Sequence, residues 1–373
     1  MNKKLKVLPV LAMGLMLVAC NGTGTSSSTK PATNEEVNFT LKVGSYVALG
    51  SNANQIEVST AAVILKGEKI VDAYFDVLQA PFKIESTSDK KTEKVTYTVS
   101  LDTTKNQTKD AGDKVIETKQ ELKTRYGMAS TAAEGEWNVQ AANFAKYTVG
   151  KTIDEVTSKN YKSHYNEKGT EVVTGCSISQ KNFTTALKVI TDTKTFKAPA
   201  GKVSAGLGYK VSALSKDNVL TVTLAGSATD KDGKIYETSI NAYQIPVTVD
   251  GTKVTEPKIA IDTTKTQTKA ENFKGHTVES ETNKYYTSVL SKRELKELYG
   301  MKGTATAGEW FTQADNFAKY AKGKVASEIA GKTYKSNHNP NGTVEVPGCT
   351  ITMEDFAVAA GNSFTNKSGL TAK

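Results

Sequence analysis

Cysteine, histidine, tryptophan and proline are all scarce in this chain, with three, three, two and eight copies in 373 residues. Each scarcity excludes something. A disulfide-stapled scaffold needs paired cysteines, whereas Cys20 stands in the N-terminal segment and Cys176 and Cys349 lie far apart in sequence. Structural zinc needs clustered Cys and His, and His164, His276 and His338 are scattered, which reads as surface histidine. The N-terminal apolar run from Val7 to Val18, interrupted by Pro9 and Gly14, is shorter than the ~20 residues that cross a bilayer as a helix, and no later run is longer. Basic residues exceed acidic ones by 48 to 39, but no dense basic run exists, so nucleic-acid binding is not expected. No Ser-His-Asp set recurs and no Rossmann-type glycine fingerprint is present, which argues against a hydrolase or a dinucleotide-binding enzyme.

Internal repetition, by contrast, is plain. Residues 127–183 return in register as residues 300–356, with roughly half of the positions identical. Gly135-Glu136-Trp137 matches Gly308-Glu309-Trp310, and Asn143-Phe144-Ala145-Lys146-Tyr147 matches Asn316-Phe317-Ala318-Lys319-Tyr320. Gly175-Cys176-Ser177-Ile178-Ser179 matches Gly348-Cys349-Thr350-Ile351-Thr352. Histidine does not follow the repeat: His164 aligns with Asn337 and His338 with Tyr165. One cysteine per copy at an equivalent place points to a local packing role rather than a bridge between copies.

The chain is expected to divide into four parts. Residues 1–19 carry Lys3, Lys4 and Lys6 before the apolar run and read as a secretory signal. Its end, Leu17-Val18-Ala19-Cys20, resembles the lipobox of bacterial lipoproteins, which implies cleavage before Cys20 and lipidation of its thiol. Loss of the leader lowers the formal charge from +9 to about +6. Residues 20–36 are rich in Gly, Ser, Thr and Asn, the composition of a flexible tether. Residues 37–196 and 197–373 are then two homologous domains of α+β class, each a mixed or antiparallel sheet packed with helices.

Within each domain β-type sequence precedes helical sequence. Phe39–Leu49, Gln55–Leu65 and Lys69–Leu78 are predicted strands, as are Tyr209–Leu214, Val219–Ala225 and Lys234–Tyr243. Leu101-Asp102 and Ile261-Asp262 mark a strand end and its turn, and residues 271–286 form an insertion peculiar to the second copy. Lys119–Tyr126 and Lys292–Tyr299 predict helices stopped by Gly127 and Gly300. A second helix begins near Glu134 or Ala307, with Trp137, Ala141, Phe144 and Thr148, or Trp310, Ala314, Phe317 and Ala321, on its core face. Ser179 and Thr352 are predicted N-caps of a further helix, Thr352 forming a capping box with Asp355, and Phe183, Leu187 and Ile190 mark its apolar face.

The Gly-Cys-Ser/Thr element is the candidate site. Gly175 and Gly348 allow a sharp turn or a close approach, while the Ser177 and Thr350 hydroxyls precede the expected caps and have no capping duty of their own. Free amides and a helix dipole there would suit a phosphate; in the rival reading the turns serve only to start helices. Thr174-Gly175-Cys176-Ser177-Ile178-Ser179 and Pro347-Gly348-Cys349-Thr350-Ile351-Thr352 resemble Ser/Thr-Gly-Ala-Thr/Ser-x-Thr/Ser, the motif at which a flavin transferase joins FMN through its phosphate in the FMN-binding domains of sodium-pumping NADH:quinone reductase. Cys replaces the usual Ala in both copies, Pro347 replaces a small polar residue, and the upstream acid is represented by Glu171 and, one position displaced, by Glu345. With the lipobox and the duplication, the chain is similar to the PplA-type flavinylated pheromone lipoproteins of Gram-positive extracellular electron transfer.

That resemblance implies two covalent, phosphoester-linked FMN groups on Ser177 and Thr350, flanked by Gly175, Cys176, Gly348 and Cys349. It implies an ApbE-type FMN transferase as partner, attachment through Cys20 to the outer face of the cytoplasmic membrane, a quinone-linked membrane donor, and ferric iron or another external acceptor. The alternative is a duplicated surface lipoprotein that binds a ligand or adheres without flavin.

Overall fold

The computed structural model describes residues 35–50, 54–89, 94–104, 116–250, 257–262, 289–303 and 305–373. The signal segment, Cys20, nearly all of the tether, the 271–286 insertion and His276 lie outside the described residues. The fold is α+β, built on two antiparallel sheets. Strands β1 (Glu36–Leu49), β2 (Gln55–Lys66), β3 (Lys69–Asp89), β4 (Lys94–Leu101) and β5 (Ile190–Pro199) form the first, in the order β4-β3-β2-β1-β5. The second is β6 (Ser204–Val211), β7 (Val219–Thr229), β8 (Ile235–Asp250) and β9 (Lys258–Ile261), in chain order.

Both faces of the central strands β2 and β7 are buried, which explains why they lack a strict polar alternation. On β2, Val58, Ala62 and Ile64 enter a core shared by the two sheets, while Ala61, Val63 and Leu65 point to the helices of the first half. On the second sheet, Leu220, Val222, Leu224, Tyr243 and Ile245 enter the same central core, and Ala225, Ile240 and Ala242 face the other helices. Residues 35–373 accordingly form one compact unit. Polar contacts also cross between the halves. Asp72 on β3 accepts the Ala205 N–H at 2.7 Å, the Tyr243 hydroxyl donates to the Ser45 carbonyl at 2.9 Å, and Arg293 joins Asp192 at 3.4 Å.

The helices of the first half are α1 (Lys119–Leu122), α2 (Trp137–Thr148), α3 (Ile153–Thr157) and α4 (Lys181–Lys188); those of the second are α5 (Lys292–Leu295), α6 (Trp310–Ala321), α7 (Ala326–Ile329) and α8 (Glu354–Thr365). Thr118 and Ser291 start α1 and α5 with reciprocal capping boxes to Glu121 and Glu294. Both helices tighten into 3₁₀ turns that end at Gly127 and Gly300, whose φ values of 80° and 76° suit the expected glycine stop. All eight residues assigned to the core faces of α2 and α6 are buried.

Two expectations are corrected. The helix after the candidate loop ends at Lys188, so Ile190 opens β5, an edge strand whose polar, half-exposed sequence ITDTKTFKAP carries little strand signal. It forms by pairing with β1 from Glu36↔Pro199 to Gly44↔Ile190. β3 also runs past Leu78 to Asp89, because β4 supplies a partner for its distal half. Among the described residues, no helix is long and apolar enough to cross a membrane.

Candidate functional site

Each candidate loop is hydrogen-bonded to α2 or α6 and leads into α4 or α8. Gly175 and Gly348 occupy the third position of a four-residue turn closed by Cys176 N–H to Val173 O and Cys349 N–H to Val346 O, both 3.0 Å. Their φ values of 71° and 72° fall in the left-handed region that favours glycine. A Cβ on either would lie 2.4 Å or 2.3 Å from the Nδ2 atom of Asn143 or Asn316, so the turn excludes a side chain on two counts. Those same amides donate to the Gly175 and Gly348 carbonyls at 2.9 Å, which accounts for the recurrent Asn of the Asn-Phe-Ala-Lys-Tyr segments.

The recurrent Gly-Glu-Trp segment also finds a local purpose. The Glu136 carboxylate accepts the Met128 and Ala129 N–H groups, each at 3.0 Å, and Glu309 accepts those of Met301 and Lys302 at 3.0 Å and 2.8 Å. These charge-assisted bonds clip the preceding loop to the start of α2 or α6. Trp137 meets Phe183 edge-on at 5.5 Å, and Trp310 meets Phe356 at 5.3 Å, which fixes α4 against α2 and α8 against α6. Behind each tryptophan a buried lysine lies over aromatic rings: Lys119 over Tyr126 and Trp137, Lys292 over Tyr299 and Trp310. Burial pushes the Lys292 ammonium down to about 8.

The polar anchor of the loop is a residue the sequence reading passed over. Gln140 on α2 accepts the Ser177 and Ile178 N–H groups through Oε1 at 2.8 Å and 3.1 Å, and Gln313 accepts those of Thr350 and Ile351 at 2.8 Å and 3.2 Å. Its signal was available: a glutamine recurs in both copies, three residues after Trp, on a helix face otherwise filled by apolar residues. This corrects the expectation of free amides beside the hydroxyl, since two of them are already bound to glutamine. The cap assignment is corrected as well. The helices begin after Gln180 and Met353, neither giving a side-chain cap bond. Ser179 Oγ accepts the Lys181 N–H only at 3.4 Å, and Asp355 turns to Ser212 rather than boxing with Thr352.

The remaining wall comes from the segment after Tyr161 or Tyr334. The His164 N–H donates to the Ser177 carbonyl at 2.9 Å, and the Asn337 N–H to that of Thr350 at 2.8 Å. Ser177 and Thr350 are half-buried, with part of each surface open to solvent. Thr350 opens onto a cavity of about 450 Å³ that it lines with Lys335, Ser336, Asn337, Pro340, Glu345 and Cys349. Glu171 accepts the Tyr147 hydroxyl at 2.5 Å, and this bond holds its carboxyl below the ordinary range; Glu345 is exposed, 4.0 Å from Lys335.

Cys176 and Cys349 are buried and unbridged. Burial pushes their thiols up to about 11 and about 12, so neither is a nucleophile at neutral pH. The Cys349 Sγ donates to the Gln313 carbonyl at 3.1 Å. His164 and His338 are exposed, and among the described residues no group of three His, Cys, Asp or Glu side chains converges as metal ligands would. Compared with family models, with curated proteins and with solved structures, the chain finds no match in any of the three.

Proposed function

We propose that this protein is an anchored electron carrier in which Ser177 and Thr350 each hold FMN through a phosphoester, in two tandem FMN-binding-type domains. The observation that carries this reading is the duplicated presentation of one hydroxyl. In both halves a glycine turn, a buried glutamine and a half-buried asparagine hold the loop, and the hydroxyl between them is the group left for chemistry. The residues fit such a ligand. The cavity at Thr350 is within the roughly 300–1,000 Å³ range of small-molecule sites. Lys335, Ser336 and Asn337 give it a cation and polar groups suited to a phosphate and an edge-hydrogen-bonding ring.

When bound, FMN supplies one- and two-electron chemistry through its ring system, which attachment by phosphate leaves unaltered. The chain itself contributes position. Covalent attachment removes the dependence of occupancy on free cofactor, which matters outside a cell where free cofactor is dilute. Thiols kept protonated by burial beside the acceptors leave the hydroxyls as the reactive groups of the loop. With Cys20 lipidated, donor and carrier share the outer face of the membrane, and electrons pass from a quinone-linked donor to ferric iron or another external acceptor.

Intact mass of the protein produced together with an FMN transferase tests this reading. Two FMN additions are expected, one lost in each of Ser177→Ala and Thr350→Ala and both lost in the double variant. Protein that stays colourless and unmodified at both residues overturns it and favours a ligand-binding or adhesive surface module.

A further inference from the structure

Gln140 and Gln313 are wholly buried, and each gathers three donors on one carboxamide oxygen. In the first half these are the Ser177 N–H at 2.8 Å, the Ile178 N–H at 3.1 Å and the Ser177 hydroxyl at 3.3 Å. In the second they are the Thr350 N–H at 2.8 Å, the Ile351 N–H at 3.2 Å and the Thr350 hydroxyl at 3.4 Å. A carboxamide oxygen has two lone pairs, and the two backbone amides take the shorter bonds. The hydroxyl is left with the longest and weakest contact. The other end of each side chain is fixed too, because Nε2 donates to the Gly135 or Gly308 carbonyl at 2.9 Å. That bond decides which end of the carboxamide faces the loop.

We propose that Gln140 and Gln313 are positioning residues for covalent modification, holding the acceptor loop by its backbone so that the hydroxyl can be esterified without the loop changing shape. The inference rests on the reading of Ser177 and Thr350 as flavin acceptors. The donor is a flavin dinucleotide bound to the transferase. The Ser177 or Thr350 oxygen forms a bond to the flavin-side phosphorus, the phosphoanhydride bond to the nucleotide breaks, and the departing nucleotide phosphate keeps that electron pair. The hydroxyl proton passes to a base of the transferase. Among the described residues, the bond given up is the 3.3 Å or 3.4 Å contact to glutamine, while both backbone bonds persist in the product. A loop held by its hydroxyl would lose its anchor at the moment of reaction.

The two halves make the test internally controlled. The full chain is incubated with the transferase and the flavin dinucleotide, and modification at Ser177 and Thr350 is timed separately by peptide mass. Gln140→Met fills similar volume without an acceptor. The rate at Ser177 is expected to fall about ten- to hundredfold, the scale of loss for an ångström-sized misplacement, through kcat with KM little changed. Thr350 keeps its rate, and Gln313→Met reverses the pattern. Unchanged modification at Ser177 in Gln140→Met overturns the inference while leaving the flavin reading intact. Wild-type chain unmodified at both residues overturns the flavin reading itself. If circular dichroism shows that Gln140→Met does not fold, Gln140→Asn, one methylene too short to reach both amides, carries the same expectation and the same refutation.

Discussion

Raising the pH from 5 to 8 is expected to destabilise the folded chain, and two buried carboxyls on β3 set the sign. Asp72 and Asp76 are completely buried, and desolvation raises each from 3.8 to about 7. Hydrogen bonds that favour the charged form oppose this without prevailing. Asp72 accepts the Ala73 and Ala205 N–H groups at 2.9 Å and 2.7 Å, and Asp76 accepts those of Val77 and Gln120 at 2.7 Å and 3.2 Å. In the unfolded chain both titrate near the ordinary value of about 3.9. A folded-state value above the unfolded one means that each contribution is complete below about pH 4 and is lost as pH rises through about 7. One pKa unit corresponds to about 1.4 kcal/mol, so each carboxyl accounts for roughly 2–3 kcal/mol between pH 5 and 8. Burial also raises Glu237, Glu294 and Asp355, which act in the same direction, whereas Glu155, held down to about 2 by its bond to Lys69, contributes stability that is lost only below the ordinary carboxylate range and so is nearly constant from pH 5 to 8.

Asp72→Asn isolates one group from that background. Urea unfolding at pH 5, 6, 7 and 8 supplies the measurement. At pH 5 the variant is less stable by about 1–3 kcal/mol, because one carboxamide oxygen cannot accept both the Ala73 and Ala205 N–H groups as the two carboxyl oxygens do. The gap narrows by roughly 2–3 kcal/mol toward pH 8, where the wild-type side chain ionises in a site that disfavours charge. Parallel wild-type and variant profiles refute the reasoning, since they would mean that Asp72 exchanges no proton on folding.

Gly175→Ala forces a Cβ into the space of Asn143 Nδ2 at a φ of 71°. It is expected to cost roughly 1–2 kcal/mol for the left-handed backbone, to lower the melting temperature, and to abolish modification at Ser177 alone. Wild-type melting with full modification there refutes this. Cys176 and Cys349 are expected to resist a maleimide at pH 7.5 in folded protein and to react after urea unfolding, as buried thiols raised to about 11 and about 12 should. Prompt labelling of the corresponding peptides in native protein contradicts their burial.

How much of this was legible depended on which residues repeat. Trp137, Phe144 and their partners Trp310 and Phe317 declare the core faces of α2 and α6 by spacing alone, because a helix buries residues three or four apart. Gly127 and Gly300 declare the helix stops for the same kind of local reason. β5 was not legible. Its alternate residues face solvent, its composition is polar, and its strand conformation comes from the free edge of β1, a partner 146 to 163 residues away in sequence. The shared central core was hidden as well, since an apolar run such as residues 61–65 says that both faces are buried without saying what covers the second. At the candidate site the turn glycines were legible. The glutamine anchor left a signal, a polar residue repeated on an apolar stripe, but its role shows only once the backbone N–H donors of Ser177, Ile178, Thr350 and Ile351 are in place.

Duplication bears on the hydroxyls themselves. Two copies that have diverged at about half their positions retain polar residues where packing demands them, and the structure supplies the demand for most of those around the loop. Glu136 and Glu309 each satisfy two backbone amides, Gln140 and Gln313 two more, Asn143 and Asn316 a carbonyl, and Tyr161 and Tyr334 the ends of α3 and α7 through hydroxyl bonds of 2.8 Å and 2.7 Å. Removing any of these leaves a buried group unsatisfied, at a cost of about 1–3 kcal/mol. Ser177 and Thr350 differ from them. Their backbone amides anchor the loop, but their side chains make only the longest contact to a glutamine oxygen already engaged by two amides. Stability alone gives little reason to keep a hydroxyl there in both copies, which is the ground for proposing that chemistry is performed on it.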